Sequence, residues 1–190
     1  MTAAVRALQA TLSEHGALLD GHFRLSSGRH SGRFIQKFRI LEDPALVEPL
    51  ARTIADAFRG VKPTVVVSAA VGGIILGYEV ARHLHVKAIF VEKENGVPTL
   101  RRSFALSAED RALIVEDVVT TGLSVREVID VVRGHGAQVA GVGAIVMRGD
   151  VDFGVPTRAL LDLPIESYDA ADCPQCAAGE PIDDPGSRRT

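Results

Sequence analysis

Cysteine and surplus positive charge are scarce in this sequence. The 190 residues include only two cysteines, which excludes a disulfide framework. The 21 lysines and arginines are outnumbered by 24 acidic residues, which gives a formal net charge of −3. A general nucleic-acid binder needs a basic surface, so this balance argues against that class of protein. It still allows a local basic pocket for a small anion.

Long hydrophobic runs are also missing. The apolar stretch at residues 65–71 is far shorter than the roughly 20 residues needed to span a membrane. The residues that follow Met1 lack the apolar core of a signal peptide. We therefore expect a cytoplasmic protein that has neither a membrane partner nor a nucleic-acid partner.

Short apolar segments alternate with helical patterns through the centre of the chain. Continuous apolar runs, typical of strands buried on both faces, occur at residues 64–67, 88–91, 112–115 and 139–146. Helical spacing lies between them, which predicts an α/β fold with a mostly parallel central sheet flanked by helices. The length favours a single domain over residues 1–190. Its tail at 169–190 is rich in Pro, Gly and Asp and is expected to be irregular.

The N-terminal part carries three local predictions. Apolar spacing predicts a helix over residues 5–19. Alternation of apolar and polar residues predicts a strand over 34–40. Pro44 suits the first turn of a helix that extends to about Phe58.

The most informative segment follows the strand predicted at 112–115. It starts with two adjacent carboxylates, Glu116 and Asp117. Hydroxyl groups and a glycine come next, at the start of a helix: Thr120, Thr121, Gly122 and Ser124. A helix start offers free N–H groups to a phosphate, whereas the acids suit neutral hydroxyls. A sugar with a phosphate at one end and a diol at the other satisfies both halves.

Two other phosphate-binding motifs are excluded. The glycines at 72–77 have the spacing of a nucleoside-triphosphate loop but lack its Lys-Ser/Thr. No Gly-x-Gly-x-x-Gly opens a helix after a strand, which argues against a dinucleotide fold.

The segment 112–124 resembles the phosphoribosyl-diphosphate signature of type I phosphoribosyltransferases. The resemblance implies the fold of that family. It implies that Glu116 and Asp117 hold the ribose 2- and 3-hydroxyls. The 5-phosphate would lie against the remaining members of the loop: Thr120, Thr121, Gly122 and Ser124.

Further resemblance narrows the family to the orotate phosphoribosyltransferases. Residues 23–34 are similar to the N-terminal hood of that family, which residues 1–42 would largely form. Residues 68–74 resemble its pyrophosphate loop, which implies pyrophosphate contacts at Ala70, Val71 and Gly72. Arg148 falls where the family places an arginine for the orotate carboxylate, and a guanidinium suits a planar anion. The implied orotate-binding residues are Ser27, Phe34, Thr120 and Arg148.

The chain departs from the family pattern at two lysines and at the catalytic loop. Ser26 and Gly72 occupy positions where lysine is common. The usual long loop is replaced by the shorter segment 92–102, which contains no histidine. Its Lys93, Arg101 and Arg102 are the candidates for stabilising the departing pyrophosphate. The chain most resembles a short-loop bacterial branch of the family.

The resemblance implies a glycosyl transfer in pyrimidine (UMP) biosynthesis. Orotate and phosphoribosyl diphosphate would give orotidine monophosphate and pyrophosphate, with Mg²⁺ as the cofactor and a homodimer as the assembly. Two alternatives remain open. One is a purine or xanthine phosphoribosyltransferase, which would carry a different hood. The other is a non-catalytic regulator that senses phosphoribosyl diphosphate, for which no basic DNA-binding segment is present.

The two cysteines form a Cys-x-x-Cys pair at Cys173 and Cys176, typical of half a zinc site or a redox pair. No second cysteine pair exists, and no histidine lies near the pair in the sequence. We therefore expect a plain turn in the tail and no metal site built from protein residues.

Overall fold

The computed structural model describes residues 3–25 and 27–185. The chain divides into two compact units. One comprises Met1–Ile40 together with Pro164–Thr190, and the other comprises Leu41–Leu163. The predictions for a single domain, a hood at 1–42 and a tail at 169–190 stay predictions.

The first unit is built on a two-stranded antiparallel hairpin. Its regular elements are α1 (Ala3–Glu14), β1 (Leu18–Arg24), β2 (His30–Ile35) and the short helix α6 (Pro174–Ala177). Isolated bridges pair Phe23 with Asp183 and His30 with Tyr168. Residues 169–185 of the tail are thus mostly irregular, but backbone hydrogen bonds fix them to the hairpin.

The second unit holds the central sheet. Its elements are α3 (Pro44–Phe58), β3 (Val65–Ala69), α4 (Gly72–Leu84), β4 (Lys87–Glu94), β5 (Val97–Leu100), β6 (Arg111–Val119), α5 (Leu123–Gly134), β7 (Gln138–Met147) and β8 (Thr157–Asp162). A four-residue helix, α2 (Phe38–Leu41), precedes them. The strand order is β5-β4-β3-β6-β7-β8, and every neighbouring pair is parallel except β4 and β5. The predicted α/β fold with a mostly parallel sheet is confirmed.

Burial of the central strands explains their continuous apolar sequences. Val65, Val66 and Val67 of β3 are fully buried, as is Leu113 of β6, because helices cover both faces of a parallel sheet. Helix α3 packs very close to β7. A Cβ atom at Gly141 of β7 would lie 2.5 Å from the ring of Phe58, so this position requires glycine.

The N-terminal predictions were partly wrong. Helix α1 ends at Glu14, and Leu18 begins a strand instead of extending the helix. Gly16 at φ +66° forms the break, a conformation that glycine adopts without steric cost. Strand β2 ends at Ile35, and α2 covers the residues predicted to continue it. The prediction for α3 is confirmed: Asp43 caps Ala45 N–H at 2.9 Å, and Pro44 occupies the first turn.

Chain direction fixes where a ligand can bind in the second unit. The chain leaves β3 toward β4 on one side and reaches β6 on the other, so the strand order reverses between β3 and β6. In open α/β sheets, ligands bind beyond the carboxyl ends of the strands at this reversal. Among the described residues, no helix is long and apolar enough to cross a bilayer.

Candidate functional site

The loop after β6 lies at the reversal point of the sheet. It encloses a small cavity of about 40 Å³. Most of the predicted phosphate-binding residues line this cavity: Thr120, Thr121, Gly122 and Ser124, together with Glu116. The side chains of Thr120, Thr121 and Ser124 are exposed, which makes their hydroxyls accessible to a ligand. The structure thus brings together the residues that the sequence grouped.

Gly122 is required for the shape of this loop. Its φ of +77° is left-handed, and it caps the start of α5. A Cβ atom there would lie 2.7 Å from Val151 and 2.9 Å from the ring of Phe153. Both the backbone and the neighbouring side chains thus exclude a side chain at this position, at the start of a helix whose first N–H, that of Leu123, donates to Thr121 Oγ1 at 3.4 Å.

The two acids lie inside β6, which is a departure from the sequence prediction. The strand continues to Val119, so Glu116 and Asp117 do not follow its end. Both are buried, at 7% and 2% exposure. Consecutive side chains of a regular strand point to opposite faces, and of the two acids it is Glu116 that lines the loop cavity. The apolar Val118 and Val119 extended the pairing with β7 beyond the acids.

The predicted pyrophosphate loop lies at the carboxyl end of β3, next to the β6 loop. Ala70 and Val71 are exposed, their peptide bond is cis, and Ala70 N–H donates to Val91 O at 2.8 Å. Gly72 is buried as the first residue of α4. Since β3 and β6 are parallel neighbours, the two loops emerge at the same edge of the sheet.

Arg148 follows β7, the next strand along that edge, and its N–H donates to Val119 O at 2.9 Å. Its Nε atom is buried and has no hydrogen-bond partner among residues 3–25 and 27–185. Burial lowers the pKa of the Arg148 guanidinium. A buried donor without a partner is costly, and an anionic ligand would relieve that cost.

Residues 92–100 of the segment 92–102 belong to a β-hairpin, and Arg101 and Arg102 follow its second strand, whereas the sequence suggested a loop. Strands β4 and β5 pair antiparallel around Asn95 and Gly96, which take the positive φ values of 51° and 83°. This is the backbone that two-residue hairpin turns favour. The shortened segment is therefore tied into the sheet edge.

The three candidate catalytic cations of this hairpin all form ion pairs. Lys93 pairs with Glu127 of α5 at 2.8 Å. Arg101 pairs with Glu94 at 3.3 Å, and Arg102 pairs with Glu92 at 2.8 Å. The hydrogen bond from Arg102 lowers the pKa of the Glu92 carboxyl. A role in catalysis would require these cations to exchange their partners for a phosphate.

The predicted orotate contacts of the hood lie in the first unit. Ser27 is exposed in the turn between β1 and β2, and its hydroxyl accepts a hydrogen bond from Arg29 N–H at 3.4 Å. The Phe34 ring packs against that of Phe23, with 5.7 Å between centroids. Ser26, noted as a departure from the family pattern, lies outside the described residues.

Sequence reasoning missed one grouping. The prediction of a plain turn at Cys173 and Cys176 rested on the lack of a nearby histidine. In the fold, His22 and His30 approach these cysteines to within 4.8 Å. His22 and Cys173 are 151 positions apart in the sequence, so this proximity could not be predicted from it, and only the Cys-x-x-Cys spacing pointed to a metal site.

Comparisons with known proteins agree with this geometry. The phosphoribosyl transferase domain family matches residues 39–152. The orotate phosphoribosyltransferase of Pelotomaculum thermopropionicum is 51% identical over 182 residues, which cover 95% of this chain and 96% of that protein. The orotate phosphoribosyltransferase of Caldanaerobacter subterraneus subsp. tengcongensis is 49% identical over 171 residues, or 89% and 90% of the two chains.

A solved structure shares the fold. The crystal structure of orotate phosphoribosyltransferase from Aeropyrum pernix matches with a TM-score of 0.69 at 27% identity, and covers 81% of this chain and 92% of that chain. The family match spans both loops and Arg148. The sequence identity, the fold and the loop at the sheet reversal agree, and the chain belongs to the orotate phosphoribosyltransferase family of type I phosphoribosyltransferases.

Proposed function

We propose that this protein transfers the ribose 5-phosphate group of phosphoribosyl diphosphate to orotate, releasing pyrophosphate and forming orotidine monophosphate for pyrimidine biosynthesis. The observation that carries the proposal is the hydroxyl-lined loop of β6 at the reversal of the sheet, in a chain about half identical to named orotate phosphoribosyltransferases. The reaction needs a phosphate cradle, a group for the ribose diol and an anion-binding group for the base.

The 5-phosphate binds in the loop at the start of α5. The start of helix α5 and the exposed hydroxyls of Thr120, Thr121 and Ser124 supply the hydrogen-bond donors for the phosphate at this cavity. The cavity is small, so it suits the phosphate alone and leaves the ribose outside, toward Glu116. Glu116, which lines the cavity, accepts hydrogen bonds from the ribose hydroxyls, and Asp117, on the opposite face of the strand, joins it only after a local shift of β6.

The chemical step breaks the bond between C1 of the ribose and pyrophosphate. Positive charge builds on the ribose ring while negative charge builds on the leaving group, so positioning and electrostatic stabilisation do most of the work. Ala70, Val71 and Gly72 offer a backbone edge for the pyrophosphate beside the β6 loop. Lys93, Arg101 and Arg102 supply positive charge after exchanging their carboxylate partners.

Arg148 binds the carboxylate of orotate. A guanidinium can present a bidentate fork to a planar carboxylate, and the buried Nε of Arg148 has a donor to offer. Thr120 stands near this end of the sheet, since Arg148 N–H bonds to the adjacent Val119. Ser27 and Phe34 of the hood are the proposed further contacts to the base.

Magnesium is the proposed cofactor. The Glu116 carboxylate at the loop cavity offers the hard oxygen ligands that Mg²⁺ prefers. Few protein ligands are needed, because Mg²⁺ keeps several waters and binds substrate phosphates. When bound, the ion would neutralise charge on the departing pyrophosphate.

A homodimer is the proposed assembly. Helix α4 exposes Ile75 at 47% and Tyr78 at 66% beside an apolar groove of about 590 Å³ formed with α3. A contiguous apolar surface of this kind is typical of protein interfaces. The cytoplasm is the proposed location, since two cysteines are too few for the disulfide framework typical of small secreted domains.

Pyrophosphate release by the purified protein tests the proposal. The protein is mixed with Mg²⁺ and phosphoribosyl diphosphate, and orotate, uracil, adenine, hypoxanthine or xanthine is then added separately. Release with orotate alone is the expected result. Release with a purine instead would overturn the proposed roles of the hood and Arg148. Tight binding of phosphoribosyl diphosphate without any release would favour the sensor, with the paired cations of the hairpin as the reason.

A further inference from the structure

Four metal-ligating side chains that the proposed reaction does not use meet in the first unit. They are His22, His30, Cys173 and Cys176, each of which offers one ligand atom, and all four atoms lie within 4.8 Å of one another. We propose that they bind one zinc ion in a closed Cys₂His₂ site that fastens the tail to the β1–β2 hairpin.

The spacing of the ligand atoms fits a tetrahedral ion. Zinc bonds of about 2.1 Å to nitrogen and about 2.3 Å to sulfur imply ligand-to-ligand distances of about 3.3–3.8 Å. His22 Nε2 lies 3.2 Å from His30 Nδ1 and 3.4 Å from Cys173 Sγ. Cys176 Sγ lies 3.2 Å from His30 Nδ1 and 3.7 Å from His22 Nε2. Four of the six ligand-to-ligand distances therefore match a tetrahedral zinc ion to within a few tenths of an ångström, and the other two, at most 4.8 Å, have to close by no more than about 1 Å.

The tautomer of His22 is set for metal binding. Its Nδ1 lies 3.1 Å from the carbonyl oxygen of Glu180, which can only accept a hydrogen bond. Nδ1 must therefore carry the proton, which leaves the lone pair of Nε2 directed at the cysteines. A ligating histidine whose other nitrogen donates to a carbonyl is the usual second-sphere arrangement of protein zinc sites.

Backbone hydrogen bonds hold the ligands in place independently of any ion. His30 and Tyr168 exchange N–H···O bonds of 2.8 and 2.9 Å, and Asp183 N–H donates to His22 O at 2.7 Å. Cys173 is the N-cap residue of the short helix α6, and its carbonyl accepts a hydrogen bond from Ala177 N–H at 3.1 Å. The hairpin that carries the two histidines and the tail that carries the two cysteines are thus joined by backbone hydrogen bonds.

Burial and ligand count favour a structural site. His22, His30 and Cys173 are 4%, 7% and 2% exposed, and Cys176 alone reaches the surface. Four protein ligands fill a tetrahedral shell, so no position is left for water or substrate. Two thiolates and two imidazoles also suit zinc better than Mg²⁺, which prefers oxygen ligands. The site is therefore distinct from the proposed magnesium chemistry.

Metal content of the untagged full-length protein tests this proposal. We expect about one zinc per chain by elemental mass spectrometry, as a closed four-ligand site binds one ion. His22→Asn and Cys173→Ser should each lower zinc content at least tenfold. His15→Asn is the matched control in the same unit, because His15 is exposed and bonds only to the nearby Thr11 carbonyl among described residues. Zinc that is lost equally from the His15→Asn variant would overturn the proposal.

Cobalt substitution covers the case in which a variant fails to fold. Wild-type protein stripped with a thiol reagent and chelator, then reduced and refilled with Co²⁺, should show the intense visible bands of tetrahedral cobalt and thiolate-to-cobalt charge transfer. Cys176→Ser removes the most exposed ligand and should reduce the charge-transfer band about twofold, since one of two thiolates remains. A spectrum of octahedral cobalt, or a Cys173–Cys176 disulfide in freshly isolated zinc-free protein, would refute the site. Neither readout depends on transferase activity.

Discussion

Arg148 offers the sharpest test of the proposed base recognition. Its buried Nε has no hydrogen-bond partner among the residues described, and burial lowers the pKa of its guanidinium. Hydrogen bonds to a charged group contribute about 1.5–3 kcal/mol each. At about 1.4 kcal/mol per tenfold change, loss of one such bond in Arg148→Ala lowers kcat/KM for orotate by about 10- to 150-fold.

The assay separates binding of the base from binding of the ribose. Initial rates of pyrophosphate release are measured against each substrate in turn for wild type, Arg148→Ala and Arg148→Lys. We expect the KM for phosphoribosyl diphosphate to change little. Arg148→Lys should recover only part of the kcat/KM for orotate that Arg148→Ala loses, because lysine lacks the planar fork of arginine.

Arg158→Ala provides the matched control. Arg158 is exposed on β8 of the same unit and donates to the Thr157 carbonyl at 3.0 Å. We expect this variant to keep wild-type kinetics. Arg148→Ala should also unfold within about 1 kcal/mol of wild type, because Nε has no described protein partner to lose. An unchanged kcat/KM for orotate, or an equal loss for both substrates, would refute the reasoning.

Three further predictions follow from the second unit. Gly122→Ala should lower the free energy of unfolding by about 1–3 kcal/mol in urea titrations and weaken phosphoribosyl-diphosphate binding, because it adds a clash to a left-handed backbone. Gly154→Ala is its control, with φ +67° and open space, and should show the smaller loss; equal losses would contradict the clash. Tyr78→Asp should convert the proposed dimer to a monomer in light scattering, and a monomeric wild type would overturn the interface. Burial opposes ionisation of Asp110, but hydrogen bonds led by Ser107 N–H outweigh it and lower its pKa below 3.8. The wild type should therefore have a higher free energy of unfolding than Asp110→Asn above about pH 4, and this difference should vanish as pH falls through the pKa of Asp110 in the folded protein. A difference that does not depend on pH would argue against this explanation.

The sequence by itself determined the sheet and its ligand-binding edge. Runs such as residues 65–67 and 112–115 are apolar at every position, and only a strand covered on both faces buries all of them. The loop at 120–124 could also be predicted from the sequence, because hydroxyl residues and Gly122 next to a helix start form a local phosphate-binding motif. Local periodicity and local chemistry suffice for such features.

The residues at which strands end, and the partners with which charged side chains pair, could be learned only from the tertiary structure. Glu116 and Asp117 lie inside β6 because β7 pairs with that strand through Val119. The segment 92–102 is a hairpin whose cations pair with glutamates, a result set by the neighbouring strand and by α5.

The proposed zinc ligands show most clearly what cannot be predicted from the sequence alone. His22 and Cys173 are 151 residues apart and carry no shared pattern, yet their ligand atoms lie 3.4 Å apart. Periodicity and motif spacing report on residues that are neighbours along the chain. Contacts between distant segments depend on how backbone hydrogen bonds and side-chain packing close the chain on itself, and that closure is decided only in three dimensions.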